Sequence, residues 1–384
     1  MEGKNNKLVK EDKKKLKNKI NPLGFQIMLK FKLNNIFTHK VENELFSNQI
    51  LDIHELSNKR IGIISYFFIL IYSLKSFKLL QKIEPDYFKF INLENEGYNS
   101  LYYLINFIEL KNGDLVLWNE RIILIYKLEN KKYTLYQTIY EYDQGTRSES
   151  YFKTKLVLYY NLNSIYELHN NNLVSCNSYG LKIYHKENNE YILMSTIRTS
   201  CDVEKLVEIK PNILILFQRH FTCGHHGGSY SHSVSIYDIN NEKETVLTSD
   251  YGIYRDLSTI NFIIKNNYLF DRYSNYLDIY NIEKNMQKIE KGDDLYMEYD
   301  NYTRHNEKFL KDKMKITLLS DYFDNLFLAS YHYKIQIFKF ENELVQFYCD
   351  FPINCKGGIK GIVRLKDDLM ILYSYFCLIV IKFI

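Results

Sequence analysis

Five residues that suit a metal ion stand within thirteen positions of one another. The segment 220–232, HFTCGHHGGSYSH, carries His220, Cys223, His225, His226 and His232, four of the ten histidines in the chain and one of its six cysteines. Imidazole nitrogen and thiolate sulfur are the donor pair that zinc prefers, and three glycines, Gly224, Gly227 and Gly228, would let a loop fold four donors around one ion. The spacing matches no standard zinc pattern, and a bound ion also needs partners that hold its ligands in place. The simpler expectation is a long glycine-rich loop with its histidines in solvent. No cofactor is expected, zinc at this segment being the single exception considered.

Other catalytic arrangements are missing. The chain has no Gly-x-Ser-x-Gly elbow, no His-Glu-x-x-His and no Gly-x-x-x-x-Gly-Lys-Ser/Thr phosphate loop. Asp293-Asp294 and Asp367-Asp368 fall in turn-like segments, where solvated charge explains them. Catalytic residues are therefore expected to be none.

The elements around these residues follow a repeated phrase. Residues 108–126 (IELKNGDLVLWNERIILIY) and 166–184 (YELHNNNLVSCNSYGLKIY) share one grammar: an apolar run, a polar Asn-rich turn, a second apolar run, and an alternating stretch that ends in an aromatic. The same strand end reads ILIY, ILIY, LKIY, VSIY, LDIY, IQIF and IVIK, anchored at Tyr72, Tyr126, Tyr184, Tyr237, Tyr280, Phe338 and Lys382. Successive anchors lie 54, 58, 53, 43, 58 and 44 residues apart by subtraction. Self-similarity at such a period marks units that must stack on one another to bury their faces. Most units continue through a polar turn into a further short strand, as in YTLYQTI (133–139) and YILMSTI (191–197). That predicts about four strands per unit, joined by Asn, Asp, Gly and Lys turns of hairpin type. Helical periodicity is weak throughout.

Seven such units predict an all-β fold, a seven-bladed β-propeller of four-stranded antiparallel blades. In this respect the chain resembles the WD-repeat propellers. The third strand of a WD repeat ends hydrophobic-x-hydrophobic-Trp-Asp, and Val234-Ser235-Ile236-Tyr237-Asp238 matches it with Tyr in place of Trp. Five other units keep the aromatic but carry Ser73, Lys127, His185, Asn281 or Lys339 where the Asp would stand, and the seventh has Lys382 in place of the aromatic. The resemblance spans residues 50–384 as repeat shape. It implies a non-enzymatic interaction scaffold or adaptor that presents its loops and rim to other proteins. The alternative is a metal-dependent or enzymatic propeller using loop 220–232 or the channel mouth.

A ring must close. The last unit offers three strands and the chain then ends, so the fourth is expected from the N-terminus, because an unpaired edge invites aggregation. Residues 36–41 are the expected closing strand, with 25–33 as a second partner on that edge. The expected organisation is a basic, disordered tail over 1–24 and one propeller domain over 25–384, with the closing-strand region at 25–48 and the blades at 49–384.

Composition sets the partner classes. Fifty basic and forty-six acidic side chains give a net charge of +4, too balanced for a global nucleic-acid or membrane field. Eight lysines between Lys4 and Lys19 form a local exception that could contact nucleic acid or an anionic membrane, although a solvated tail is the reading adopted. The apolar runs at 61–74 and 369–384 fall short of the roughly twenty residues of a spanning helix, and no signal peptide is recognised. Six scattered cysteines without a Cys-x-x-Cys pair favour a reducing location, cytoplasmic or nuclear. The expected state is a monomer with protein partners.

Overall fold

The computed structural model describes residues 25–32, 50–85, 106–141, 162–250, 262–291, 302–306, 318–351 and 359–383, apart from short gaps at 66–67, 77, 120–121, 179, 200, 225–226, 266, 274–275, 323–324, 332–333, 343, 366–368 and 375–376. Strand β1 (Phe25–Lys32) precedes the blades. Blade 1 is β2 (Asp52–Leu56), β3 (Arg60–Ile64), β4 (Ile69–Ser73) and β5 (Leu79–Ile83). Blade 2 is β6 (Asn106–Glu109), β7 (Leu115–Trp118), β8 (Ile122–Glu129) and β9 (Lys132–Tyr140). Blade 3 is β10 (Leu162–Glu167), β11 (Leu173–Asn177), β12 (Gly180–Glu187) and β13 (Glu190–Arg198). Blade 4 is β14 (Asp202–Lys210), β15 (Ile213–Gly224), β16 (Gly227–Asp238) and β17 (Lys243–Asp250). Blade 5 is β18 (Phe262–Lys265), β19 (Tyr268–Tyr273), β20 (Tyr276–Asn281) and β21 (Tyr302–Asn306), with helix α1 (Ile282–Lys291) between the last two. Blade 6 is β22 (Leu318–Asp321), β23 (Leu326–Tyr331), β24 (Lys334–Glu341) and β25 (Leu344–Phe351). Blade 7 is β26 (Gly361–Leu365), β27 (Leu369–Tyr373) and β28 (Cys377–Phe383), completed by β1.

Each sheet has four antiparallel strands in sequence order, except the last, whose order is β1-β28-β27-β26. The molecule is a seven-bladed β-propeller. First strands of neighbouring blades approach one another, β10 with β14, β18 with β22 and β2 with β26, so these strands form the inner ring. All seven repeated strand ends lie in the third strand of their blades. Tyr126, Tyr184, Tyr237, Tyr280 and Phe338 are buried there, which explains why the phrase retains an aromatic after losing its Asp.

The Asn-rich turns do what their residues allow. Asn130-Lys131 and Asn188-Asn189 each link two strands through two residues with positive φ (49° and 68°; 48° and 71°), the geometry that matches strand twist in a tight hairpin. The core is divided between the blades. Val116, Trp118, Ile123 and Ile125 of blade 2 meet Leu162, Ile165 and Leu173 of blade 3, and comparable clusters fill other joints.

Closure corrects one expectation. The strand that pairs with β28 is β1, running from Phe25 opposite Phe383 to Lys32 opposite Cys377, with one register shift between Ile27 and Leu29. Residues 36–41, expected to close the ring, lie outside the described residues. The stretch 25–32 (FQIMLKFK) alternates on either side of Met28, where the register shifts, and is long enough to match all of β28.

Candidate interaction surfaces and channel

The His-rich segment is a hairpin extension. β15 and β16 pair without interruption from Ile213 opposite Asp238 to Gly224 opposite Gly227, so strand structure continues where a long loop was expected. His220 stands opposite Ser231 and Cys223 opposite Gly228, while His232 is buried opposite Arg219. Strand parity therefore puts positions 220 and 232 on opposite faces of the hairpin. His225 and His226 lie outside the described residues. Among the described residues, no three His, Cys, Asp or Glu side chains gather as metal ligands.

The channel wall carries charge from opposite blades. Asp52, at the start of β2, accepts a 2.6 Å hydrogen bond from Tyr373 Oη of blade 7 and lies 3.2 Å from His54 Nε2. Burial pushes the Asp52 carboxyl up, but His54, Tyr373 and the Ile53 N–H together outweigh it and hold the pKa below the ordinary 3.8. Lys205 on β14 is water-accessible yet encircled by protein. That desolvation lowers its ammonium pKa, opposed by the negative charge of Asp52. The Lys205 Nζ lies 5.2 Å from the centre of the Phe262 ring of blade 5.

A carboxylate latch recurs at consecutive blade joints. Glu109, at the end of β6, accepts hydrogen bonds from the Ser57 N–H, from Ser57 Oγ at 2.8 Å, from Arg60 at 3.1 Å and from Tyr133 Oη at 3.0 Å. Glu167 of blade 3 takes the Lys111 N–H of blade 2 at 2.7 Å, and Glu208 of blade 4 takes the His169 N–H of blade 3. In each case the acid stands at or near the end of an inner strand, directly before an apolar residue, and caps the turn of the preceding blade. At the joint of blades 5 and 6 the same position is Asp321, which accepts from Lys265 Nζ at 2.5 Å. At the next joint the sign inverts: Arg364 donates to the Tyr322 carbonyl.

Blade 3 holds a second buried acid. Glu141, almost wholly enclosed, accepts from Ser175 Oγ at 2.5 Å, Tyr184 Oη at 2.6 Å and Lys182 Nζ at 2.8 Å. A carboxylate so saturated with donors is held in place and has no open face for a substrate. The network fixes the aromatic strand end to the segment that precedes its blade.

The rim is different in character. In blades 1, 2, 3 and 6 the outer hairpin shifts register just before the strand-end aromatic, which then pairs with Leu79, Leu135, Leu193 or Phe347. Such a bulge increases local twist, and there two successive apolar residues meet solvent: Leu79-Leu80, Leu135-Tyr136, Leu193-Met194 and Phe347-Tyr348, each 40–55 % exposed. Neighbouring rim strands are stapled by side-chain amides. Gln81 exchanges two 2.8 Å hydrogen bonds with the main chain of Tyr133, and Gln137 makes the same pair with Tyr191 at 2.9 Å. The sequence offered a signal for both devices, the shared Glu-Leu of the two phrases and the Leu-x-Gln of the outer strands, that the strand pattern alone did not separate from ordinary polar positions.

No family model matches the sequence, and no curated protein matches it. Solved structures do. The chain is similar to one in the crystal structure of a mitotic checkpoint complex, with TM-score 0.56, 10 % identity and 94 % of each chain covered. It is similar to the β-propeller domain of Myceliophteria thermophila Cps50 (Swd1), with TM-score 0.55, 8 % identity, and 94 % of this chain and all of that one covered. A streptogramin B lyase gives TM-score 0.52 at 9 % identity, over 94 % of this chain and 98 % of that one. Identities this low establish the shared fold alone, a β-propeller. An enzyme stands among the similar structures, so the fold by itself does not choose between binding and catalysis.

Proposed function

We propose that this propeller is a non-enzymatic scaffold whose rim and loops hold other proteins. The observation that carries the proposal is the repeated pair of exposed apolar residues on the outer strands of blades 1, 2, 3 and 6. Exposed apolar area that recurs at one position of a repeat is the kind of surface that partners cover. The titratable groups are engaged structurally: Glu109, Glu208 and Glu141 each bind several donors, and Cys176 is sealed in the core. One of the similar structures was solved within a protein complex, which fits the reading. A cytoplasmic or nuclear location is part of the proposal, supported by Cys176, Cys201 and Cys349, which form no disulfide. No described helix is long and apolar enough to cross a membrane.

The test is recovery of stoichiometric partners by affinity purification and size-exclusion chromatography. Co-elution of a defined protein supports the scaffold. A protein that elutes alone from its native source, together with turnover abolished by an inner-strand substitution such as Lys205→Ala, would instead favour the channel.

A further inference from the structure

The rim of blades 1–3 differs from that of blade 6 in charge. The outer hairpins of blades 1–3, residues 69–83, 122–140 and 180–198, hold nine Lys and Arg against three Asp and Glu, a net +6 where the whole chain has only +4. Lys82, Lys182 and Lys186 are engaged by Glu84, Glu141 and Asp114, and setting those three aside still leaves +3. The corresponding hairpin of blade 6, residues 334–351, holds two lysines against three acids, a net −1. Apolar pairs and basic charge therefore coincide only on the first three blades among these four. They are interleaved at close range, with Lys127 Nζ 3.4 Å from the centre of the Tyr136 ring.

Geometry restricts what can cover this surface. Seven sheets divide the circle into steps of about 51° (360°/7), so the outer strands of blades 1 and 3 face directions about 103° apart. A flat bilayer meets one blade edge, and a second convex propeller meets the rim along one line. A flexible chain wraps all three. The bulges interrupt these edges, so a wrapped chain cannot add a long regular strand and must be held by side chains.

Resting on the scaffold reading, we propose that the rim of blades 1–3 binds an extended acidic segment of a partner protein, with apolar residues that seat on the Leu79-Leu80, Leu135-Tyr136 and Leu193-Met194 pairs. The acids of the segment meet the surrounding lysines, and the Gln81 and Gln137 staples keep the three edges in fixed relation.

The test uses the full chain and a fluorescent peptide of about twenty residues built from alternating Asp/Glu and Leu/Phe, an extended reach of roughly 65 Å at about 3.3 Å per residue. Binding is measured by anisotropy for the native protein, for Leu80→Ser/Tyr136→Ser/Met194→Ser, and for the blade 6 control Phe347→Ser/Tyr348→Ser. Circular dichroism and melting confirm that the exposed substitutions leave the fold intact. The expected result is salt-sensitive binding, at least about tenfold weaker in the triple variant and unchanged in the control. No binding by the native protein, or equal binding by the triple variant, overturns the proposal. So does rim-dependent binding to phosphatidylserine vesicles without peptide binding, or rim-dependent self-association in sedimentation. Cellular partners retained by the triple variant would refute the rim while leaving the scaffold standing; no partners for the native protein would refute the scaffold itself.

Discussion

Tyr373 donates a 2.6 Å hydrogen bond to Asp52, joining the last blade to the first across 321 residues of sequence. Gly361 makes room for it. A Cβ at that position would stand 2.1 Å from the Tyr373 ring, so only glycine lets β26 pass opposite this tyrosine.

Breaking the pair should loosen the ring at its seam. Tyr373→Phe is expected to cost about 1 kcal/mol, since Asp52 keeps the Ile53 N–H bond, its 3.2 Å approach to His54 and some water access. Gly361→Ala should cost more, because the tyrosine must leave its place. The carboxyl pKa of Asp52 is lowered in the fold, so its contribution is present in full above the ordinary 3.8 and is lost as pH falls below that value. Thermal melts between pH 5 and pH 2 should show native and Tyr373→Phe proteins converging at the acid end.

Alkaline pH should act on the strand-end aromatics. Burial raises the phenol pKa of Tyr126 to about 12 from 10.0 and raises Tyr72, Tyr184 and Tyr237 as well. A raised pKa means that the fold prefers the neutral phenol, so stability is complete below pH 10 and falls as pH rises above it. The prediction is a cooperative unfolding step that coincides with the tyrosinate absorbance change. Gradual tyrosine titration in a still-folded protein would contradict the burial of these side chains.

The latch residues should matter in proportion to the donors that they hold. Glu109→Ala strands two groups of Ser57 and the Tyr133 hydroxyl and leaves Arg60, still bonded to Ser57, without its carboxylate in a mostly buried joint, and should destabilise by about 3 kcal/mol. Glu167 is half-buried and holds mainly the Lys111 N–H, so Glu167→Ala should cost less, about 1 kcal/mol. Urea titration of the two variants gives the comparison directly.

How much of this was legible beforehand follows from the range of each interaction. The repeated strand ends predicted the third strand of every blade, because burial of an aromatic at a fixed place is a local requirement that the sequence repeats. Hairpin turns at Asn130-Lys131 and Asn188-Asn189 were legible for the same reason. Closure was not, because residues 25–32 and 36–41 are both strand-like, and only pairing with a segment some 350 positions away distinguishes them. The segment 220–232 read as a loop because glycine and histidine are poor strand markers, yet its register is set by the apolar residues below it, from Ile213 to Phe217. The glutamate latches belong to joints between blades, which a reading blade by blade does not see.

The closed ring underlies every surface described above, and truncation tests it most directly. A fragment of residues 25–384 retains β1 and should melt cooperatively as a monomer, at the temperature of the full chain. A fragment of residues 33–384 loses the strand paired with β28 from Phe383 to Cys377, and exposes a buried apolar strand containing Ile379, Val380 and Ile381. It should aggregate, or melt at a much lower temperature. A monomeric 33–384 fragment as stable as the full chain would contradict closure by β1.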